Sequence, residues 1–240
     1  MTRVNILGVP IDAVSMHEAV KRIQEMLKGG KHHVMTPNSE MLVCAQRNDS
    51  FRSLLNHTDL NVADSAGLLW AARQTGQSLP ERVAGVDLVE TLLMTISSEH
   101  PVFFLGGRNG VAEKAARRLK MENGTLNMTS YEGSPSPEDA PEIIQRINDS
   151  GAHLLLVAYG APAQDLWINQ HLLQLTSVRV AMGVGGTFDF LAGMVKRAPK
   201  LLRRMHLEWL WRLLLQPWRI GRILTATVHF PLLVLLRKGQ

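Results

Sequence analysis

A chain of 240 residues, 45% hydrophobic and 20% charged, is long enough for one large domain with a sizeable core and too apolar for a disordered protein. Its single cysteine, Cys44, excludes an intramolecular disulfide framework and a Cys-cluster zinc site. The N-terminus has no long apolar signal-like core, and the longest uncharged stretch, 223–236, covers 14 residues and contains Pro231, so no membrane-crossing helix and a cytoplasmic chain are the expectation.

The elements read in chain order as follows. Residues 4–7 are strand-like, and Ser15-Met-His-Glu18 is a capping box opening a helix to about 28, which Gly29-Gly30 stops. A short strand over 33–36 precedes Asn38, a cap for a helix to about 48. A strand over 60–63 ends at Asp64, with a helix over 66–74. Asp87-Leu-Val-Glu90 resembles a second capping box, for a helix to about 97. A buried strand over 101–105 leads through Gly106-Gly107 to a helix ending near 121, then to a weaker strand over 126–131 and a helix within 137–150. The apolar strand 154–159, a helix over 164–175 and a strand over 178–183 before Gly185-Gly186 complete the body. Strands separated by helices imply an α/β fold with a mostly parallel, Rossmann-like sheet covered on both faces. Ligands of such sheets sit beyond the carboxyl ends of the strands.

Charge is distributed unevenly. Residues 196–240 carry ten basic side chains and one acid, Glu208, a net of +9, whereas residues 1–195 are net −4. The tail also holds Trp209, Trp211 and Trp218 among many leucines, the composition of a helix lying in a membrane interface. The competing reading is a helical pair packed on the domain with its arginines solvated. Nucleic acid is not an expected partner, because the body has no basic face interleaved with aromatics. The chain therefore divides into an α/β catalytic domain, 1–195, and a basic amphipathic membrane-associating appendage, 196–240.

The residues that follow the strands carry the chemistry. Gly106-Gly107 and Gly185-Gly186 are turns through which backbone amides approach a phosphate, although neither has dinucleotide or P-loop spacing and each is equally a simple tight turn. Asp64 is a general-base candidate at a strand end and equally a cap for the next helix. His32-His33 are strand and surface residues, since adjacent side chains on a strand point apart and no third metal ligand is evident. No Asp-x-Asp occurs in the chain, which argues against a metal-bridged diphosphate. Helix N-termini, amides and arginines, Arg82 and the tail arginines among them, must then stabilise a diphosphate leaving group.

Together several segments become specific: Thr36-Pro-Asn38, Asp64-Ser-Ala-Gly67, Arg82-Val-Ala-Gly-Val-Asp87, Phe104-Leu-Gly-Gly107, Gly160-Ala-Pro-Ala-Gln-Asp-Leu-Trp167, and the long run from Gly183-Val-Gly-Gly-Thr-Phe-Asp189 to Lys196-Arg-Ala-Pro199. In that order they resemble the WecG/TagA/CpsF family of bacterial glycosyltransferases, glycosyltransferase family 26, over nearly the whole chain. The tail segment 207–219 resembles the family's C-terminal appendage.

The resemblance implies an inverting, metal-independent transfer of a sugar, N-acetylmannosamine or its uronic acid, from a UDP-sugar donor to a polyprenyl-diphosphate-linked GlcNAc acceptor. It implies no cofactor, a peripheral place on the cytoplasmic face of the membrane, and a catalytic role for Asp64 as base with Thr36 beside it. Asn38 and Gln164 would contact substrate, and Arg82 would hold diphosphate. Gly106, Gly107, Gly185, Gly186 and Asp189 would line the UDP site. Arg203, Arg204, Arg212, Arg219 and Arg222 would meet the acceptor diphosphate and an anionic membrane surface. Asp165 stands where the family commonly has Glu, a change that keeps the charge. The segment 230–236 is more apolar than a plain basic tail. A hexosyltransferase of an exopolysaccharide pathway and a non-catalytic, membrane-associated nucleotide-binding subunit are the alternatives. The sequence leaves homo-oligomer formation open.

Overall fold

The computed structural model describes residues 2–122, 124–199, 201–202 and 208–237, without the side chain of Arg212. Eight strands and the helices between them form a six-stranded parallel sheet and a separate hairpin. The hairpin is β1 (Arg3–Ile6) and β2 (Val9–Asp12), antiparallel about a Leu7-Gly8 turn in which both residues have positive φ. The first strand of the sequence reading therefore lies outside the main sheet, and its partner, interrupted by Pro10, was not foreseen.

The main sheet contains β3 (His32–Met35), β4 (Leu60–Asn61), β5 (Val102–Gly106), β6 (Met128–Tyr131), β7 (Leu154–Ala158) and β8 (Val180–Gly183), in the order β4-β3-β8-β7-β5-β6. Every pairing is parallel. Period-two alternation divides the strands between two cores. Val102, Phe104, Leu154, Leu156 and Met182 face α1 (Met16–Met26), α5 (Gly85–Thr95) and α6 (Val111–Glu122). Phe103, Leu105, Leu155 and Val157 face α7 (Ala140–Asp149) and α8 (Ala163–His171). The chain leaves β5 toward β6 and leaves β7 toward β8, in opposite directions, so the crevice between these neighbours is a topological switch point.

Local chemistry explains most element ends. The Ser15–Glu18 capping box is formed at the start of α1. Asn38 caps α2 (Ser39–Ala45), but the predicted helix stops at Gln46, and Asn48 caps a second one, α3 (Asp49–His57). The box at Asp87 is absent. α5 begins at Gly85 with no side-chain cap, and the Asp87 carboxylate instead meets Arg197 at 2.9 Å. Ser65, not Asp64, caps α4 (Ala66–Gln74), its hydroxyl accepting from the Leu68 amide.

The described part of the tail is largely helical and docked. After the short α9 (Thr187–Leu191), α10 (Glu208–Leu215) leads into one continuous helix, Pro217–Arg237. This helix comprises a 3-10 turn, α11 (Ile220–Leu224), a π segment (Thr225–His229) and α12 (Phe230–Arg237). Pro231 cannot donate to the ladder, and the preceding π segment lets the helix run through it. At 1.5 Å per residue its 21 residues extend about 32 Å. By length and composition it is long and apolar enough to cross a membrane. The sequence expectation differed because Arg222 and Pro231 interrupt the pattern.

The packing of this helix is that of a surface element. Phe230 is fully buried and Val234 nearly so, in a core shared with Leu42, Leu68 and Ala71 of α2 and α4. Gly67 lies against both α2 and the ring: a Cβ there would collide with Ser39 Oγ at 2.3 Å and touch Phe230 Cε1 at 3.4 Å. Phe230→Ala is expected to cost about 3–5 kcal/mol, a loss that thermal or urea unfolding measures directly.

Candidate active site

The carboxyl ends of the strands open into one cleft of about 1410 Å³. Thr36, Asn38, Asp64, Arg82, Gln164, Gly107, Gly185, Gly186 and Asp189 all line it, as do Arg219 and Arg222 of the tail. Gly106 ends β5 just behind the lining residue Gly107. Arg203 and Arg204 lie outside the described residues, as does the side chain of Arg212.

Thr36 and Asp64 converge on one point. A Cβ on Gly85 would stand 3.1 Å from Thr36 Oγ1 and 3.3 Å from Asp64 Oδ2, so the two oxygens share the space that this glycine leaves open. The Asp64 amide donates to the Pro37 carbonyl at 2.9 Å, which draws the turn after β4 back over β3. Ser65 accepts from the Leu68 amide at the start of α4, so this cap does not depend on Asp64.

Asp64 is also one end of a chain of alternating charges. Arg82 Nη2 lies 3.7 Å from Asp64 Oδ1 and 3.3 Å from Glu208 Oε2. The other Glu208 oxygen accepts from Arg197 Nε at 3.0 Å, and Arg197 Nη2 reaches Asp87. Burial works against the charge of Arg197, but Glu208 and Asp87 outweigh it and raise its pKa. Glu208, read in the sequence only as the one acid of a basic tail, is 8% exposed and ties α10 to Arg82 and Arg197 at the carboxyl edge of the sheet.

The turn after β5 requires glycine at its second position. Gly107 has φ +76, and a Cβ there would collide with Val111 Cγ1 at 2.3 Å. Gln164 is a positioning residue more than an exposed ligand. Its Oε1 accepts from both Gly160 N–H and Gly185 N–H at 3.0 Å, fixing the loops after β7 and β8 to each other. Asn38 Oδ1 is likewise engaged, accepting from the Met41 amide at 3.0 Å.

His33 is buried rather than a surface residue, with Nε2 3.8 Å from a carboxylate oxygen of buried Asp165, while half-exposed His32 pairs with Asp59. Tyr159, Glu132 and Arg108 also line the cleft, and burial raises the Tyr159 phenol. Neither Tyr159 nor Glu132 was singled out in the sequence, because each lies one position past a strand without a recognisable motif around it.

A parallel α/β sheet with amide-rich turns and a carboxylate at its carboxyl edge is an enzyme scaffold for phosphorylated ligands. The chain belongs to the glycosyl transferase WecG/TagA/CpsF family, which matches residues 4–240, and it is a glycosyltransferase. The N-acetylglucosaminyldiphosphoundecaprenol N-acetyl-beta-D-mannosaminyltransferase of Staphylococcus aureus strain MRSA252 is 32% identical over 225 residues, spanning 92% of this chain and 88% of its own length. The protein of the same description from strain NCTC 8325 matches with the same identity and coverage.

Proposed function

We propose that this glycosyltransferase moves N-acetylmannosamine, or its uronic acid, from a UDP-sugar to a polyprenyl-diphosphate-linked GlcNAc. The observation that carries the reading is the shared space of Thr36 and Asp64 at Gly85, in a cleft also walled by the tail helix. The activity of the Staphylococcus aureus relatives supports N-acetylmannosamine as the sugar and the diphosphate-linked GlcNAc as the acceptor.

A β-linked product from an α-linked sugar nucleotide requires inversion, and hence one in-line displacement. The acceptor hydroxyl oxygen attacks the anomeric carbon, the bond from that carbon to the diphosphate oxygen breaks, and UDP leaves with the electron pair. The Asp64 carboxylate takes the hydroxyl proton, and Thr36 beside it orients the hydroxyl. Gln164 accepts from Gly160 N–H and Gly185 N–H and so holds the turns after β7 and β8 in place, which leaves charge developing on the diphosphate to the other amides of those turns and to the cleft arginines. Arg82 steadies the base through its contact with Asp64 and presents a cation to the same end of the cleft.

The tail gives the reaction its place. One face of the helix Pro217–Arg237 contributes Arg219, Arg222, Ile223, Ala226 and Thr227 to the cleft wall. Another face leaves Ile220, Leu224, Val228, Leu232 and Leu235 about half exposed. A lipid-linked acceptor would enter where the apolar stripe meets lipid and the arginines meet diphosphate. This supports a peripheral location on the cytoplasmic leaflet, with residues 196–240 as the membrane-associating part.

Transfer of radiolabel from a panel of UDP-sugars to a short-chain GlcNAc-diphospho-lipid tests the reading. Label is expected from UDP-N-acetylmannosamine or its uronate; transfer only from a UDP-hexose would make the chain an exopolysaccharide hexosyltransferase. Activity in that assay is expected to be unchanged by EDTA, because the sequence holds no Asp-x-Asp to bridge a diphosphate through a metal. Loss with EDTA and rescue by magnesium or manganese would contradict this.

A further inference from the structure

The β5–α6–β6 unit places a carboxylate in the cleft that none of the steps above uses. β5 ends at Gly106, and the turn before α6 runs through positive φ at Gly107, Asn109 and Gly110. About 25 residues beyond Gly107, β6 ends at Tyr131, and the next residue is Glu132. β6 is the parallel neighbour of β5 and one of the two edge strands of the sheet. The exposed Glu132 side chain reaches back to the turn, where Oε2 accepts from the Gly110 amide at 3.0 Å, and it lines the cleft. A glycine turn from strand to helix, followed by an acid at the end of the adjacent parallel strand, is the arrangement with which mononucleotide-binding α/β units hold ribose hydroxyls.

Resting on the UDP-sugar reading, we propose that Glu132 binds the ribose of the donor, accepting hydrogen bonds from its 2′- and 3′-hydroxyls, and makes the cleft selective for ribonucleotides. The dimensions of the cleft fit this placement. Glu132 reaches inward to the turn after β5, and Asp64 reaches inward to Pro37 after β3. Between β5 and β3 lie only β7 and β8, so the two carboxylates stand over strands three spacings apart, about 14 Å. A nucleoside diphosphate sugar laid along that line has its ribose at Glu132 and its diphosphate over β7 and β8, beside Gly160 and Gly185. Its anomeric carbon then arrives at Asp64. Each carboxylate oxygen can accept two hydrogen bonds, so the bond from Gly110 leaves capacity for a vicinal diol.

The competing role is a simple cap of α6, and the two roles separate experimentally. UDP, 2′-deoxy-UDP and 3′-deoxy-UDP are titrated calorimetrically into the full-length protein, with thermal unfolding recorded alongside. The wild type is expected to prefer UDP over at least one deoxy analogue by about 10- to 100-fold, the strength of a hydrogen bond to a charged group. In Glu132→Ala, UDP should weaken to the level of that analogue and the ratio should approach one. Glu132→Gln keeps an acceptor for the Gly110 amide and should give an intermediate ratio. Unchanged ratios in Glu132→Ala with a lowered melting temperature would make the residue a cap only and overturn the assignment. UDP binding by the wild type without discrimination would overturn the assignment alone. No UDP binding by the wild type would overturn the UDP-sugar reading, and the assignment with it.

Discussion

Asp64→Asn is expected to lower turnover by about 10²–10⁴-fold, with UDP affinity close to that of the wild type. A base acts on the acceptor proton in the transition state, so its loss falls on kcat and leaves ground-state donor binding nearly intact. The substitution is clean for two structural reasons. Asn is isosteric with Asp, and the cap of α4 is Ser65, so the helix keeps its N-terminal hydrogen bond. Arg82 loses an anion at 3.7 Å but retains Glu208 at 3.3 Å, which limits its displacement. Steady-state transfer to a water-soluble acceptor, with UDP binding measured separately, reads both quantities. Near-normal turnover would leave Asp64 as one more charge in the Arg82 chain. Equal losses in turnover and UDP affinity would mean that the carboxylate shapes the donor site rather than the proton transfer.

What was legible in the sequence depended on whether the signal was local. The Ser15–Glu18 box, the apolar run of β7 and the glycine turns after β5 and β8 report their own structure, and the fold of the body followed from them. The position of Asp64 beside Thr36 was legible from each residue following a predicted strand of one parallel sheet, together with the family resemblance. Whether Asp64 capped α4 was not, because Asp and Ser are both good caps and only the backbone geometry chose Ser65. The misses are non-local. Asp87 and Glu90 looked like a capping box, yet both carboxylates turn to Arg197, more than a hundred residues away. Glu208 looked incidental in a +9 tail, but its worth comes from two arginines that the sequence does not place beside it. The end of α2 failed for a simpler reason: Asn48 is a helix start as readily as a helix end.

The tail expectation changes most once packing is known. Removing residues 196–240 would uncover the pocket that Phe230 fills and leave Arg82 and Asp87 without Glu208 and Arg197, so truncation would confuse anchoring with folding. The separable feature is the outer stripe. Leu224→Gln, Val228→Gln, Leu232→Gln and Leu235→Gln combined alter side chains about half exposed and leave Phe230 and Val234 in place. Each has about 1 kcal/mol still to gain from burial in hydrocarbon, so the four contribute about 4 kcal/mol, roughly a thousandfold in partitioning. The charge contribution is smaller than ten cations suggest. A free cation at an anionic surface is worth about 1 kcal/mol before salt, but several of the described ones already have partners, Arg219 on Gln216 among them. Arg197 is held by Glu208 and Asp87, Arg222 by Glu40 at 2.6 Å, and Arg237 donates to Gln46. Co-sedimentation with anionic vesicles is therefore expected to fall far more in the quadruple variant than on raising the salt. Transfer to a water-soluble short-chain acceptor should stay near the wild-type rate, because Arg219, Arg222 and Ile223 on the cleft face are untouched. Full sensitivity to salt with no effect of the variant would make charge the anchor. Vesicle binding unchanged by either treatment would remove the stripe from membrane contact altogether and leave it to cover a second copy of the chain, which sedimentation velocity of the same variant would detect as a loss of dimer.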